Sequence, residues 1–285
     1  MPTLPAPVAD THGISLPSRY KIVPIDASIA PWVKALMIHG FFLRPSIWQP
    51  LLPKPKVSNA LRSFNAIGGH FSHSIDSGHS YAIIDSEYEY KRPESASSGG
   101  ALYWDELDPS DPDFERDGKD KMLERMDCPV VCIALSVDGF DQKPAEATRA
   151  LYEFMPLVRE LGNYFSRRSK ESGESWDPTE RGELLIRSGC VTKAGYEGQG
   201  LMTALNHFVM LEAKAKGFQA ISVGVGSPSV YRNWMKAPPG CHSKILAHLD
   251  VWDIELEDDQ GRTIRPYVNS EMSKQGWLIW CDLDS

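Results

Sequence analysis

The amino-acid sequence predicts one α+β domain, a mixed α/β chain in which a sheet is flanked by helices and interrupted by long insertions. Strand-like and helix-like patterns alternate along the chain instead of separating into halves. No internal repeat is present, and 42% hydrophobic residues over 285 positions can fill one sizeable core. A glycine-crowded turn, GYEGQG at positions 195–200, joins the apolar run LLIRSGCV to the run LMTALNHFVMLEAKAKGF, the layout of a strand entering a helix.

Residues 1–17, rich in proline and small side chains, read as a flexible N-terminal tail, which leaves 18–285 for the domain. YKIVPI has strand character. Ala27 to Gly40 has helical spacing, with Asp26 or Ser28 as cap and Trp32, Leu36 and His39 on one face. FLRPSIWQPLLPKPK carries prolines too densely for a long helix, so an irregular connection precedes a second helical segment at Ser58 to Ile67. HSYAIIDSEYEY and ALYWDEL read as strands with the loop ESASSGG between them, and DELDPSDPDFERDGKDK as a solvated acidic loop. PVVCIALSV at 129–137 is a buried strand; Ala145 to Arg168 is helical, interrupted or bent near Pro156, and followed by a polar loop. Ala220 to Val225 is a strand, Pro228 to Met235 a helix stopped by APPG, and SKILAHLDVWDIEL and GWLIWCDL are two closing strands around the turn DDQGR.

Composition excludes several classes. A net charge of −8 lacks the concentrated positive charge that phosphate backbones require. No apolar run is long enough for a membrane span, and the N-terminus lacks the basic start and apolar middle of a signal peptide, so a cytoplasmic protein is expected. The five cysteines are odd in number and scattered among apolar neighbours, which suits reduced, buried thiols.

A glycine-rich turn entering a helix can wrap an anion, because the first helical N–H groups are unpaired and carry the positive end of the macrodipole. Gly198 and Gly200 remove side chains from that approach, Leu201, Leu205, Phe208, Val209 and Leu211 give the helix a packing face, and Lys216-Gly217 ends it. The same glycines also fit an ordinary strand-to-helix turn. No Gly-Lys-Ser/Thr follows and the spacing is not Gly-x-Gly-x-x-Gly, which weighs against nucleoside triphosphates and dinucleotides.

The run LLIRSGCVTKAGYEGQGLMTALNHFVMLEAKAKGFQAISVGV resembles the core motif of GNAT-type N-acetyltransferases, a strand, a pyrophosphate loop, a helix and another strand, over about residues 183–235. YKIVPIDASIAPWVKAL resembles the opening strand and helix of such domains. The resemblance implies a mixed, mostly antiparallel sheet flanked by helices. It places Glu197 to Met202 on the six loop positions with Thr203 next, and departs from the family pattern at Glu197, where arginine or glutamine is usual, and at Met202, where glycine or alanine is usual. Implied cofactor-binding residues are Gly198, Gln199, Gly200, Leu201, Met202 and Thr203, whose main chain would hold the pyrophosphate of acetyl-CoA. Backbone N–H groups near Gly189, Cys190 and Val191 would polarise the thioester carbonyl.

By the same resemblance Tyr231 is the candidate general acid, although Trp234 lies closer to the usual tyrosine spacing and a tyrosine beside Val230 and Trp234 is equally a core residue. Glu183 is the candidate base acting through water, with a solvated strand-end carboxylate as the alternative. His70, His73 and His79, with Asp76, are weighed as a metal site and set aside for want of HExxH or clustered cysteines; no metal is expected.

The expected function is direct transfer of an acetyl group from acetyl-CoA to a primary amine of a small molecule. The alternative is a non-catalytic CoA-binding, sensing or structural domain with a degraded motif, which Glu197 and Met202 favour. Acetyl-CoA and a small amine are the expected partners, without nucleic acid or membrane, and a homodimer is left open.

Overall fold

A computed structural model describes residues 4–141, 143–258 and 260–284. In chain order the elements are β1 (Tyr20–Pro24), α1 (Ala30–Phe42), α2 (Lys56–Ala66), α3 (Gly68–Ile75), β2 (Tyr81–Asp85), α4 (Pro93–Ser98), β3 (Ala101–Leu102), α5 (Phe114–Glu124), β4 (Met126–Asp127) and β5 (Val130–Asp138). They continue with α6 (Ala145–Phe154), α7 (Leu157–Glu171), β6 (Leu184–Thr192), α8 (Leu201–Ala215), β7 (Ala220–Val225), α9 (Pro228–Met235), β8 (Cys241–Asp250), β9 (Leu256–Glu257), β10 (Thr263–Ile264) and β11 (Gln275–Leu283).

Seven strands form one sheet in the order β1-β2-β5-β6-β7-β11-β8. Every neighbouring pair in it is antiparallel except β6 with β7. β5 is buried along its whole length because helices cover both faces: Ile133 and Leu135 belong to the core with α1, while Val131, Cys132 and Ala134 belong to the core under α8. No helix among the described residues is long and apolar enough to cross a membrane.

Helix α1 is apolar on nearly every side, with ten of its residues buried, as a helix enclosed between a sheet and other helices must be. It lies unusually close to β6. A Cβ on Gly40 would come within 2.5 Å of Val191 Cγ1, and a Cβ on Gly189 within 2.7 Å of Met37 Cε and Phe41 Cζ. Helix α8 buries Leu201, Leu205, Phe208 and Val209 against the other face and ends in a Schellman cap: the N–H of Gly217, at φ +88°, bonds Lys214 O, and the N–H of Phe218 bonds Ala213 O at 3.1 Å.

The fold differs from the expectation in several places, among them ALYWDEL, where only Ala101–Leu102 is strand and Trp104–Glu106 forms a 3-10 turn. The ESASSGG loop contains α4, which starts with Pro93 and Glu94 in its first turn and ends at Gly99 with φ +76°. The acidic loop contains α5, because Phe114, Gly118 and Met122 recur every fourth residue and bury one stripe beneath a charged surface. The histidine-bearing segment is α3, held by Phe71 and Ile75. The tail is tied down from Val8 onward, since Val8 N–H bonds Ile22 O at 3.0 Å, His12 Nε2 meets Glu212 Oε2 at 2.8 Å, and Ile14 and Leu16 pack under α8. The break expected near Pro156 separates α6 from α7.

Candidate active site

Strands β6 and β7 pair in parallel from Leu184 opposite Ala220 to Arg187 opposite Val223, and then diverge. β6 runs on to Thr192 against β5 alone, with Ser188 as an extra residue between the pairs Leu135–Gly189 and Ser136–Arg187. This bulge bends β6 away from β7. The main-chain groups of residues 188–192 that face β7 therefore have no strand partner in the sheet, and the strands open a wedge to ligand or water.

The chain leaves the wedge through Lys193, whose Nζ donates to Met126 O and Cys128 O, each at 3.0 Å. The following turn places Gly195, Gly198 and Gly200 at φ +89°, +76° and +77°. An L side chain there costs about 1–2 kcal/mol, so these glycines satisfy conformation; nothing lies within 4 Å of a Cβ built on any of them. Three successive side chains clamp the turn from different directions. Tyr196 OH donates to Asp85 Oδ2 at 3.1 Å, Gln199 Oε1 accepts from Tyr20 OH at 2.6 Å, and Glu197 pairs with Arg44 while also accepting from Gly195 N–H at 2.8 Å. Burial pushes the Asp85 carboxyl up, but bonds from Arg19, Glu87 N–H and Tyr196 outweigh it and hold it below the usual carboxylate range.

Helix α8 begins at Gly200 without a side-chain cap, and its first full helical bond runs from Ala204 N to Gly200 O. The N–H groups of Leu201, Met202 and Thr203 precede that bond, and all three residues line a cleft of about 660 Å³. Its opposite walls come from Cys190, Val191 and Thr192 of β6 and from Ser227 and Ser229 at the start of α9 with Asn233 further along it, Arg44 being the cation among the lining residues. Arg44 also donates to Thr192 O at 2.9 Å, so it bridges the strand end and the turn. An uncapped helix N-terminus with a guanidinium beside it is suited to an anion.

Of the residues singled out by sequence, Cys190, Val191, Gly198, Gly200, Leu201, Met202 and Thr203 meet on this cleft. Gln199 does not, because Tyr20 holds its side chain away. Gly189 lies just behind, on a second cavity of about 350 Å³ that shares Phe41, Cys190, Ser227 and Val230 with the cleft. Burial pushes the Cys190 thiol above its ordinary value, with Arg187 pulling the other way, so it stays protonated.

Two of the candidate residues lie away from the cleft. Tyr231 lines none of these spaces; it stacks on Trp277 with ring centroids 4.3 Å apart. The reason is helical phase: Val230, Asn233 and Trp234, at i, i+3 and i+4, form the inward stripe of α9, and Tyr231 falls outside it. Glu183 sits just before β6, six residues or roughly 20 Å from Gly189 along the strand. Its carboxylate accepts from Thr179 N–H at 2.6 Å and Glu180 N–H at 3.1 Å, bonds that hold it below the usual carboxylate range in an exposed turn.

A third cavity of about 470 Å³ lies on the α1 face of the sheet beyond the second, with Trp48, Arg187, Ser188 and Gly224–Gly226 common to both. His70 lines it. His79 instead packs edge-on against Phe218 at 5.0 Å, so the histidines weighed as a metal site are divided between two settings. No group of three or more His, Cys, Asp or Glu among the described residues is placed to hold a metal ion. Sequence reading missed Arg44 and Ser46, which sit in a proline-dense connection, and Ser227 and Ser229, whose only signal is their place at the start of α9.

No family model and no curated protein sequence matches the chain. Solved structures do. The C-terminal condensation domain of Ebony, in complex with β-alanyl-dopamine, superposes with a TM-score of 0.61 at 13% identity, covering 93% of this chain and 99% of that one. Arylalkylamine N-acetyltransferase 2 from Aedes aegypti matches with a TM-score of 0.56 at 12% identity, covering 94% and 100%. Mosquito arylalkylamine N-acetyltransferase-like 5b matches with a TM-score of 0.54 at 11% identity, covering 93% and 99%. These likenesses span nearly the whole of both chains, and with the parallel β6–β7 pair opening beside a glycine turn they establish that this chain has the GNAT-type N-acetyltransferase fold.

Proposed function

We propose that this protein is an N-acyltransferase that moves an acetyl group from acetyl-CoA to a primary amine of a small molecule by direct transfer. The observation that carries the reading is the single cleft shared by the open ends of β6 and β7 and the uncapped start of α8. The similar solved structures support the acceptor class, since two are named for arylalkylamines and the third holds β-alanyl-dopamine, an amine joined to an acyl group.

The residues fit such a donor. The N–H groups of Leu201, Met202 and Thr203 and the bare backbone at Gly198 and Gly200 would hold the pyrophosphate, with Arg44 offsetting its charge. Glu197 does not repel the anion from an open position, because Arg44 and Gly195 N–H already occupy its carboxylate. Acetyl-CoA, when bound, supplies an activated thioester. Those main-chain N–H groups among Gly189, Cys190 and Val191 that face β7 instead of β5 would polarise the carbonyl. The amine nitrogen forms the new bond to that carbon and sheds a proton, while the C–S bond breaks and sulfur leaves with the electron pair and gains one. Ser227 and Ser229, whose hydroxyls lie 2.8 Å apart on the α9 wall, are the groups we assign to deliver that proton, in place of Tyr231.

One observation favours the non-catalytic alternative: Trp234, which cannot serve as an acid, occupies the inward turn of α9. Calorimetric titration with acetyl-CoA, with CoA and ATP as controls, followed by thiol release on addition of amines, separates the two. Saturable binding with release of CoA thiol is expected. Binding without release under any acceptor would support the sensing domain, and no binding at millimolar acetyl-CoA would remove both readings.

A further inference from the structure

The third cavity has a charge arrangement that a plain amine does not explain. Its walls are largely apolar, with Leu151, Tyr152, Phe165 and Trp277 among them. Lys143 and His70 also line it, and no aspartate or glutamate does; Arg187 borders it only from the strand, its guanidinium being turned to Asn206 of α8. No ion pair among the described residues involves Lys143 or Arg187, although the chain as a whole carries a net charge of −8. Arg187 is 7% exposed; its Nη atoms reach only the neutral partners Ser136 Oγ and Asn206 Oδ1, and its Nε has no partner. His70 Nδ1 is likewise buried without a partner. Burial and the neighbouring Lys143 and His73 push the His70 imidazolium down to about 3, so the ring is neutral at physiological pH and can present one N–H.

Lys143, partly buried and without an ion-pair partner, and the buried, unpartnered Nδ1 of His70 favour a ligand that brings an anion to this cavity. A polyamine or diamine would instead add like charge. The acceptor's nitrogen must also reach the divergence of β6 and β7, where this cavity merges with the second one at Ser188 and Gly224–Gly226.

We infer that the acceptor is an amino acid with an apolar or aromatic body: its carboxylate is held by Lys143 and His70 Nδ1, its body lies on the cavity wall, and its amine faces the strand divergence. The inference rests on the acyltransferase reading. Transfer then forms the amide N–C bond as the thioester C–S bond breaks, and leaves an N-acyl amino acid and CoA thiol.

The test compares phenylalanine with phenethylamine and 6-aminohexanoate with hexylamine as acceptors, each pair differing by one carboxylate. At least one carboxylated member is expected to exceed its partner in kcat/KM by roughly tenfold or more, the scale of a hydrogen bond to a charged group. Lys143→Met is expected to bring that ratio close to one. Plain amines matching or exceeding both amino acids, or a ratio unmoved in a folded Lys143→Met protein, would overturn the inference. N-acetylphenylalanine titrated into the wild-type protein gives a readout independent of turnover: saturable binding weakened by Lys143→Met supports it, and no binding sinks it. Acetyl-CoA binding measured in parallel keeps failure of the acceptor assignment distinguishable from failure of the acyltransferase reading.

Discussion

Two pairs of glycines lie at the cleft or just behind it for opposite reasons. Gly40 and Gly189 lie where α1 meets β6, and each is small because the neighbouring side chains leave no room for a Cβ. Gly198 and Gly200 lie in the turn before α8, where a Cβ would meet nothing within 4 Å, and each is glycine because its φ is near +77°. One pair fixes the distance between a buried helix and the strand beneath it. The other shapes an exposed turn so that main-chain N–H groups face the cleft. A glycine in a sequence thus records either a lack of space or an unusual backbone, and only the surroundings tell which.

The largest expected effect probes the packed pair. Gly40→Val should drive a branched side chain into Val191 and cost about 3 kcal/mol, the upper range for overpacking, whereas Gly200→Ala should cost about 1 kcal/mol through its left-handed backbone alone. Thermal denaturation of both variants checks the order. Asparagine sharpens it, since Asn tolerates positive φ: Gly200→Asn should be milder than Gly200→Ala, while Gly40→Asn should remain severe. Equal losses at the two positions would erase the distinction between space and conformation.

A smaller effect concerns the charge that the turn borrows from α1. Arg44→Gln should weaken acetyl-CoA binding by roughly fivefold or more, and Glu197→Gln should strengthen it by a few fold by freeing the guanidinium for phosphate. Calorimetric titration reads both, and shifts in the same direction would show that the pair acts only as a structural tie. The smallest effect is expected at Tyr231→Phe, which keeps the ring on Trp277 and should leave the transfer rate unchanged. A marked loss of rate would return Tyr231 to the chemistry.

The long, strongly patterned elements were legible in the sequence. β5, β6, α8 and β11 show apolar runs or stripes with clear ends, and the Lys216-Gly217 stop of α8 is a local signal with local geometry behind it. The short helices α3, α4 and α5 were not, because their glycines, serines and charges read as loop until neighbouring elements supply a surface for residues such as Phe71 and Phe114. On the candidate site, the cradle at Gly198 to Thr203 was legible because it is continuous in sequence.

What lay beyond reach was everything that depends on how separate segments meet. Helical phase turns Tyr231 onto Trp277, strand direction sets Glu183 at the far end of β6, and Arg44, 153 residues from Glu197, reaches the cradle only through the packing of α1 on β6. By itself the sequence determined the order of the long strands and helices, the buried strands and the glycine turn before α8, since periodicity and backbone freedom are properties of neighbouring residues. The divergence of β6 from β7, the clamp on Glu197, the stacking of Tyr231 on Trp277 and the meeting of Lys143 and His70 on one apolar cavity were decided by tertiary structure alone, because each depends on distances between residues that the chain does not place side by side.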